Sequence, residues 1–276
     1  PGHTHRGMEW MGSRRNAVQI VHLAERICGI CSVSHALCFA MAVEEAASIA
    51  VPLRGQYVRT IFAELERIHS HILWAGVAAL ELGFDTLFYK TWEVREKLLD
   101  LIEEISGNRV NYGMVQVGGT RRDITPDKYD IIDKSLAYYE SIFEDLGAMF
   151  LEDTVIKSRC QNTGVLTKQE ALELQVVGHM ARASGINMDV RQDSPYLAYA
   201  DMTVIAQTPD LLSGKVNGDI FDRIIVRLLE IKQSIGIIRE CVEKMPDGEY
   251  NAFPKIIKLL STVKKAEGEG IGRHEA

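Results

Sequence analysis

The sequence has no stretch approaching the roughly 18–20 consecutive apolar residues that cross a bilayer, and its N-terminus has no charged region followed by an apolar one. Any link to a membrane is therefore expected to run through partner proteins. Excess positive charge is also missing: 31 Lys and Arg stand against 38 Asp and Glu, a formal charge of −7. That balance argues against a nucleic-acid surface, where clustered cations supply most of the affinity, and fits a small or neutral substrate better. No Pro-rich, Gly/Ser-rich or like-charge run separates differently composed halves, and no internal repeat is present. Gly118-Gly119 stands alone, outside the strand–glycine–helix context of a dinucleotide-binding fingerprint. The 276 residues, 46% hydrophobic and 25% charged, are read as a single domain, 1–276, able to bury a large core.

Cysteine is scarce and odd in number, five in all. Two of the five form a C-x-x-C without a secretory signal, a pattern of metal or redox chemistry in a reducing compartment rather than a disulfide framework. Cys38, Cys160 and Cys241 lie in apolar or helical surroundings and are read as buried structural residues.

Hydrophobic periodicity predicts a mainly α fold, a helical-bundle core with small extended or β segments. Apolar residues at helical spacing run from about Ser13 to Arg26, and Ser32 is an N-cap candidate for a helix through Ala50 that ends before Pro52. A long amphipathic pattern from Arg54 to Leu82 is closed by Gly83, and a second, from about Thr86 to Ser106, by Gly107; together they predict an antiparallel helical pair. Residues 108–124 read as an extended or looped connection, followed by a helix from Pro126 to about Asp153. Shorter helical signals cover Lys168–Arg182, an irregular polar stretch follows at 189–201, and a last long helix is expected from Asp219 to Lys244. The Gly-rich run Glu267 to Gly272 looks like the approach to a further element.

The chemistry concentrates at Glu25 to His35, E-R-I-C-G-I-C-S-V-S-H. Cys28 and Cys31, three apart at a helix end, bring their Cβ atoms within about 5–6 Å, close enough to bind one soft metal or bridge two. Gly29 leaves space between them. Arg26 and the free N–H groups of the following helix favour the thiolate, the ligating form. His35, one turn beyond Cys31, is placed to donate a hydrogen bond to its sulfur. On spacing alone, a redox dithiol, half of a zinc site or two small buried hydrophobes remain open, although no second C-x-x-C completes a zinc site and the β-α-β surroundings of a thioredoxin-like motif are missing. His69 and His71, two apart, do not share a helix face and are not a metal pair.

R-I-C-G-I-C-x-x-x-H at Arg26 to His35 resembles the first cysteine motif of [NiFe] hydrogenase large subunits, and H-R-G-M-E at His5 to Glu9 resembles the segment that precedes it. L-R-G-Q-Y-V-R-T-I-F-A-E-L-E-R-I-H-S-H (Leu53–His71), A-L-E-L-G (Ala79–Gly83) and G-D-I-F-D-R (Gly218–Arg223) look like the energy-converting, membrane-bound hydrogenase branch, the one nearest the quinone-side catalytic subunit of complex I. The resemblance implies the [NiFe] hydrogenase large subunit / complex I 49 kDa-like fold. Residue by residue it implies that Cys28 is a terminal nickel ligand, that Cys31 bridges nickel and an iron carrying CO and cyanide, and that Arg26 and His35 support them. It places Glu9, nineteen residues before the first cysteine, on a separate Mg²⁺ site, and Glu81 at an acidic position near a quinone cavity and a proposed proton route; a buried carboxyl there would have a raised pKa. Glu9 can equally be a helix-start charge paired with Arg6, and Glu81 a solvated helix-end carboxylate.

The implied activity is H₂ oxidation or proton reduction within a complex. The implied partners are a small subunit with a [4Fe-4S] cluster, ferredoxin or a similar carrier, and antiporter-like membrane subunits at the cytoplasmic face of the membrane. Such sites also need a second C-x-x-C near the C-terminus, which this sequence lacks, so the chain is expected to be a fragment without the family's N- and C-terminal parts. Two alternatives stand beside this reading. One is a complex I-like quinone-reducing subunit without nickel, using Glu81 and the Gly118-Gly119 loop near the headgroup; the other is a non-catalytic scaffold of an antiporter-type complex.

Overall fold

A computed structural model describes residues 2–275. A short helix α1 (Met8–Gly12) leads into α2 (Ala17–Glu25), which opens on a reciprocal cap: the Asn16 side chain accepts from the Gln19 N–H at 3.0 Å, and the Gln19 side chain accepts in return from the Asn16 N–H. Then come α3 (Ser32–Ala46), α4 (Leu53–Glu81) and α5 (Asp85–Ser106). A two-stranded antiparallel ribbon, β1 (Val115–Gln116) and β2 (Gly119–Thr120), sits in the connection to α6 (Tyr129–Glu152). The remainder is helical and shorter until near the end: α7 (Thr154–Cys160), α8 (Lys168–Glu173), α9 (Gly178–Ala183), α10 (Val190–Asp193), α11 (Asp210–Ser213), the long α12 (Ile220–Glu243) and α13 (Ile256–Lys265). The fold is mainly α, as the periodicity predicts.

The antiparallel pair is α4 and α5. Gly83 (φ 73°) and Gly107 (φ 88°) end the two helices in the left-handed conformation that lacks a Cβ penalty in glycine. Three expectations shift. The helical signal over Lys168–Arg182 divides into α8 and α9, because Gln175 (φ 52°) and Gly178 (φ 67°) turn the chain between them. A further helix, α13, lies beyond the one predicted as last. The N-cap of α3 is Cys31, not Ser32.

α4 is the axis. It packs along α5 on one side and α12 on another, and touches α3. Val58, Ile61, Phe62, Leu65, Ile68 and Ile72 are buried, each such side chain contributing roughly 1.5–3 kcal/mol. A helix enclosed on several faces also buries its charged residues, and these are matched. Glu64 accepts from Arg191 Nη1 at 3.1 Å, Ser234 Oγ at 2.6 Å, Arg67 Nε at 3.3 Å and the Tyr199 hydroxyl. His71 Nε2 lies 2.6 Å from Glu230, which also accepts from Arg182 Nε at 2.7 Å. Arg191 reaches Asp189 at 2.7 Å.

The Gly-rich run is an extended strap on α3. Gly268, Gly270 and Gly272 lie against Ala46, Ala42 and Cys38, so the strap runs antiparallel to the helix. Two residues of extended chain (about 6.6 Å) nearly match four of helix (about 6.0 Å), which keeps glycine after glycine on the same helix ridge. Its end is planted in the buried charges: Glu275 accepts from Arg182 Nη1 at 3.0 Å and from the Val190 N–H at 3.3 Å, and Tyr196 Oη lies 2.8 Å from His274 Nδ1. A methyl on Gly270 would sit 2.0 Å from the Ala42 carbonyl oxygen. Gly270→Ala is expected to destabilise the fold by roughly 1–3 kcal/mol, measured by denaturant unfolding; an unchanged midpoint would mean that the strap does not rest on α3.

Candidate metal centre

Cys28 and Cys31 occupy the tight connection between α2 and α3. The end of α2 is held from two sides. Arg26 donates to the His22 carbonyl at 2.7 Å, and Arg6 donates to the Ile27 carbonyl at 2.9 Å and to that of Arg26. Arg26 thus folds back on the last turn of α2 and pairs with Glu25 at 3.7 Å, while Arg6 is the side chain that holds the start of the loop.

The two thiols are in contact and unequal. Burial works against the Cys28 thiolate, but hydrogen bonds from the Cys31 thiol and from the Ile30 and Cys31 N–H groups outweigh it and lower its pKa. For Cys31, burial comes first, and its bond to the Cys28 sulfur and the charge there add to it, pushing it up to about 12. Two adjacent sulfurs of unequal proton affinity are a soft donor pair on a half-buried loop, suited to a thiophilic metal that displaces their protons. Among the described residues, no group of three or more His, Cys, Asp or Glu side chains is arranged to hold a metal. Two sulfur donors on one loop fit a soft metal such as nickel or iron, with further donors required to complete its coordination.

Behind the loop lies a buried polar layer that the sequence pattern did not single out. Glu66 on α4 accepts from the Val33 N–H at 2.6 Å, the Ser34 N–H at 2.9 Å and the Ser34 hydroxyl at 2.7 Å. Glu25 accepts from the Gly113 N–H at 2.9 Å. Burial raises both carboxyls to about 7 despite these bonds. Burial likewise raises the pKa of Tyr112, whose buried hydroxyl has no hydrogen-bond partner, and the charges of Glu66 and Glu25 add to the shift. His69 pairs with Arg95 on α5 and is lowered to about 3 by burial and by that guanidinium, while His71 faces Glu230 on α12. The two histidines point to different neighbours, as their spacing requires. The signal for this layer was the density of charge inside an otherwise apolar pattern on α4, which a helix enclosed on several sides carries inward.

His35 does not meet the Cys31 sulfur: among the described residues no hydrogen bond joins them. With Glu9, Ile27 and Phe39 it lines a cavity of about 610 Å³ beside the loop. A smaller cavity of about 390 Å³, lined by Asp133, Arg239 and neighbouring residues of α6 and α12, contains no thiol or imidazole. Glu9 is exposed and pairs with His5 at 3.2 Å, rather than with Arg6. A backbone hydrogen bond and the His5 charge lower its pKa. Among the described residues no further oxygen donors converge on Glu9.

Glu81 is exposed at the C-terminal end of α4, about 22 Å along the helix from Glu66. Gly118-Gly119 lies at the other end, where a methyl on Gly55 would touch the Gly119 Cα, about 39 Å of helix away from Glu81. Glu44 accepts from the Gly118 N–H at 2.7 Å, and Arg59 donates to the Gly119 carbonyl at 3.0 Å. The glycine pair is a packed turn, and it does not converge with Glu81 on one headgroup. Cys160 and Cys241 are buried and Cys38 is half-buried against the strap.

Residues 81–269 match the family described as the respiratory-chain NADH dehydrogenase 49 kDa subunit, and residues 6–76, which carry both cysteines, match the nickel-dependent hydrogenase family. The alpha subunit of the membrane-bound hydrogenase of Pyrococcus furiosus is 43% identical over the whole of this chain, which spans 65% of that relative's length. The carbon monoxide-induced hydrogenase of Rhodospirillum rubrum is 35% identical over 92% of this chain and 69% of its own. An NADH-quinone oxidoreductase subunit of Rickettsia canadensis is 34% identical over 99% of this chain and 68% of its own.

The raised carboxyls set a pH dependence. A carboxyl with an ordinary value of 4.5 and a folded value of about 7 binds its proton more tightly when folded, so its penalty is absent below about 4.5 and fully present above about 7. The buried imidazoles of His69, His179 and His274, lowered to about 3 chiefly by burial, act in the opposite sense below their ordinary 6.5, so the effect is isolated by difference. Relative to the parent, Glu25→Gln is expected to gain stability progressively as pH rises from about 4.5 to about 7. A pH-independent difference in unfolding free energy would refute the assignment.

Proposed function

The chain belongs to the family of the respiratory-chain NADH dehydrogenase 49 kDa subunit, which takes in hydrogenase subunits as well, and within that family we propose that it is the catalytic subunit of a membrane-associated [NiFe] hydrogenase. The observation that carries this reading is the pair of half-buried free cysteines, Cys28 and Cys31, at the head of α3, inside the segment that matches nickel-dependent hydrogenases.

Cys28 and Cys31 would be among the residues that hold nickel and iron. When bound, the metals supply the Lewis acidity for heterolysis of H₂. The chain's own contribution is to hold two sulfurs of different proton affinity side by side, where a bound metal would displace their protons. Arg6 braces the loop and Arg26 the last turn of α2, Glu66 and Glu25 place acid–base groups beneath the loop, and His35 faces the adjoining cavity. The remaining ligands and the partners are likewise proposals: a small iron–sulfur subunit, a ferredoxin-type carrier and antiporter-like membrane subunits. No helix among the described residues is long and apolar enough to cross a membrane; attachment through those partners at the cytoplasmic face belongs to the same proposal.

A second reading has its own support. The longer family match, over residues 81–269, is to the 49 kDa subunit, so a nickel-free quinone-reducing role competes. It predicts quinone-dependent turnover that survives Cys28→Ser and Cys31→Ser. The hydrogenase reading predicts nickel by elemental analysis and infrared bands of iron-bound CO and cyanide in the complete complex. It also predicts that either substitution abolishes H₂ turnover. A complete complex with no nickel and no such bands would contradict it.

A further inference from the structure

α3 is capped in an unusual way. Its N-cap residue is Cys31, whose side chain makes no capping bond and whose backbone (φ −120°, ψ 45°) is not the extended form usual at that position. The next residue, Ser32, is a residue type that often caps, yet its hydroxyl is buried without a hydrogen-bond partner. The first N–H groups of a helix need acceptors, particularly where they are buried, and Val33 and Ser34 are buried. Their acceptor comes from another helix. Glu66, 3% exposed, takes the Val33 N–H on Oε2 at 2.6 Å and the Ser34 N–H on Oε1 at 2.9 Å, with the Ser34 hydroxyl added at 2.7 Å. These are the second and third residues of α3, the two whose N–H groups a local cap would serve.

A cysteine at the N-cap has two competing uses for its sulfur: to accept from its own helix, or to bind a metal. We propose that Glu66 is a positioning residue that caps the cysteine helix from across the α3–α4 contact and so releases the Cys31 sulfur for ligation. This rests on the hydrogenase reading only for what the sulfur is released to do. The bonds also fix the rotation and height of α3 relative to α4, and with them the position of Cys31 at its end. Glu66 touches neither sulfur through a hydrogen bond; it acts through the backbone of residues 33 and 34.

The test needs no metal. In the complete chain, amide hydrogen exchange is measured at Val33 and Ser34, and the iodoacetamide labelling rates of Cys28 and Cys31 at neutral pH are compared by mass spectrometry. With Glu66→Ala, both amides are expected to lose at least about tenfold in protection, and labelling of Cys31 relative to Cys28 to rise several-fold as the freed N–H groups turn to its thiolate. With the isosteric Glu66→Gln, which keeps one acceptor oxygen, one of the two amides stays protected. Leu259→Ala, a core change on α13, serves as the control for general destabilisation and leaves the labelling ratio unchanged. If Glu66→Ala does not fold, the Glu66→Gln comparison decides by itself. Unchanged protection and an unchanged ratio, or a ratio shifted equally by Leu259→Ala, would overturn the proposal. Because neither readout involves nickel, a complex without nickel would refute the hydrogenase reading while leaving this one standing.

Discussion

The charged side chains that α4 turns inward must find ionic or hydrogen-bonding partners, and this requirement organises the molecule. Glu64 draws Arg191, Arg67, Tyr199 and Ser234 around it, and Arg182 links Glu230 to the end of the glycine strap. These bonds join α4 to α9, α10, α12 and residue 275, segments far apart in sequence. Replacing such a network by apolar groups is often neutral for stability, whereas removing one member leaves a charge stranded at a cost of roughly 3–5 kcal/mol. Its effect is to permit few arrangements of the helices. The placement of α3, and so of the cysteines, follows from that restriction.

The thiol pair sits where two kinds of support meet. From outside, Arg6 and Arg26 bind carbonyls at the end of α2. From inside, Glu66 binds N–H groups at the start of α3, and Glu25, at the end of α2, binds the Gly113 N–H of the connection after α5. The loop's own residues are thus left with few backbone obligations, and its sulfurs remain half-buried rather than enclosed. A loop held in this manner can keep two ligands in place while other donors are added around them, which is what a metal site divided between distant segments demands.

Local features of the sequence were legible because their causes are local. The C-x-x-C at a helix–helix junction, the α4–α5 hairpin with its two glycine stops, and the mainly α character all follow from spacing and propensity. Glu66 was not legible: its acceptor role is defined by N–H groups more than thirty residues away, and in the sequence it reads as one more charge on an amphipathic helix. The same holds for Glu64 and Arg67, which look solvated until α12 and α10 cover them. Glu267 to Gly272 read as a lead-in because glycine spacing alone does not reveal a helix lying beneath it. Glu81 and Gly118-Gly119 were joined by resemblance, and the length of α4 separates them.

The central claim is that Cys28 and Cys31 hold nickel together. Nickel-edge X-ray absorption on the complete complex tests it most directly. The account predicts sulfur scatterers around nickel whose number falls when Cys28 or Cys31 is replaced by serine; a nickel environment without sulfur, or one indifferent to both substitutions, would contradict it.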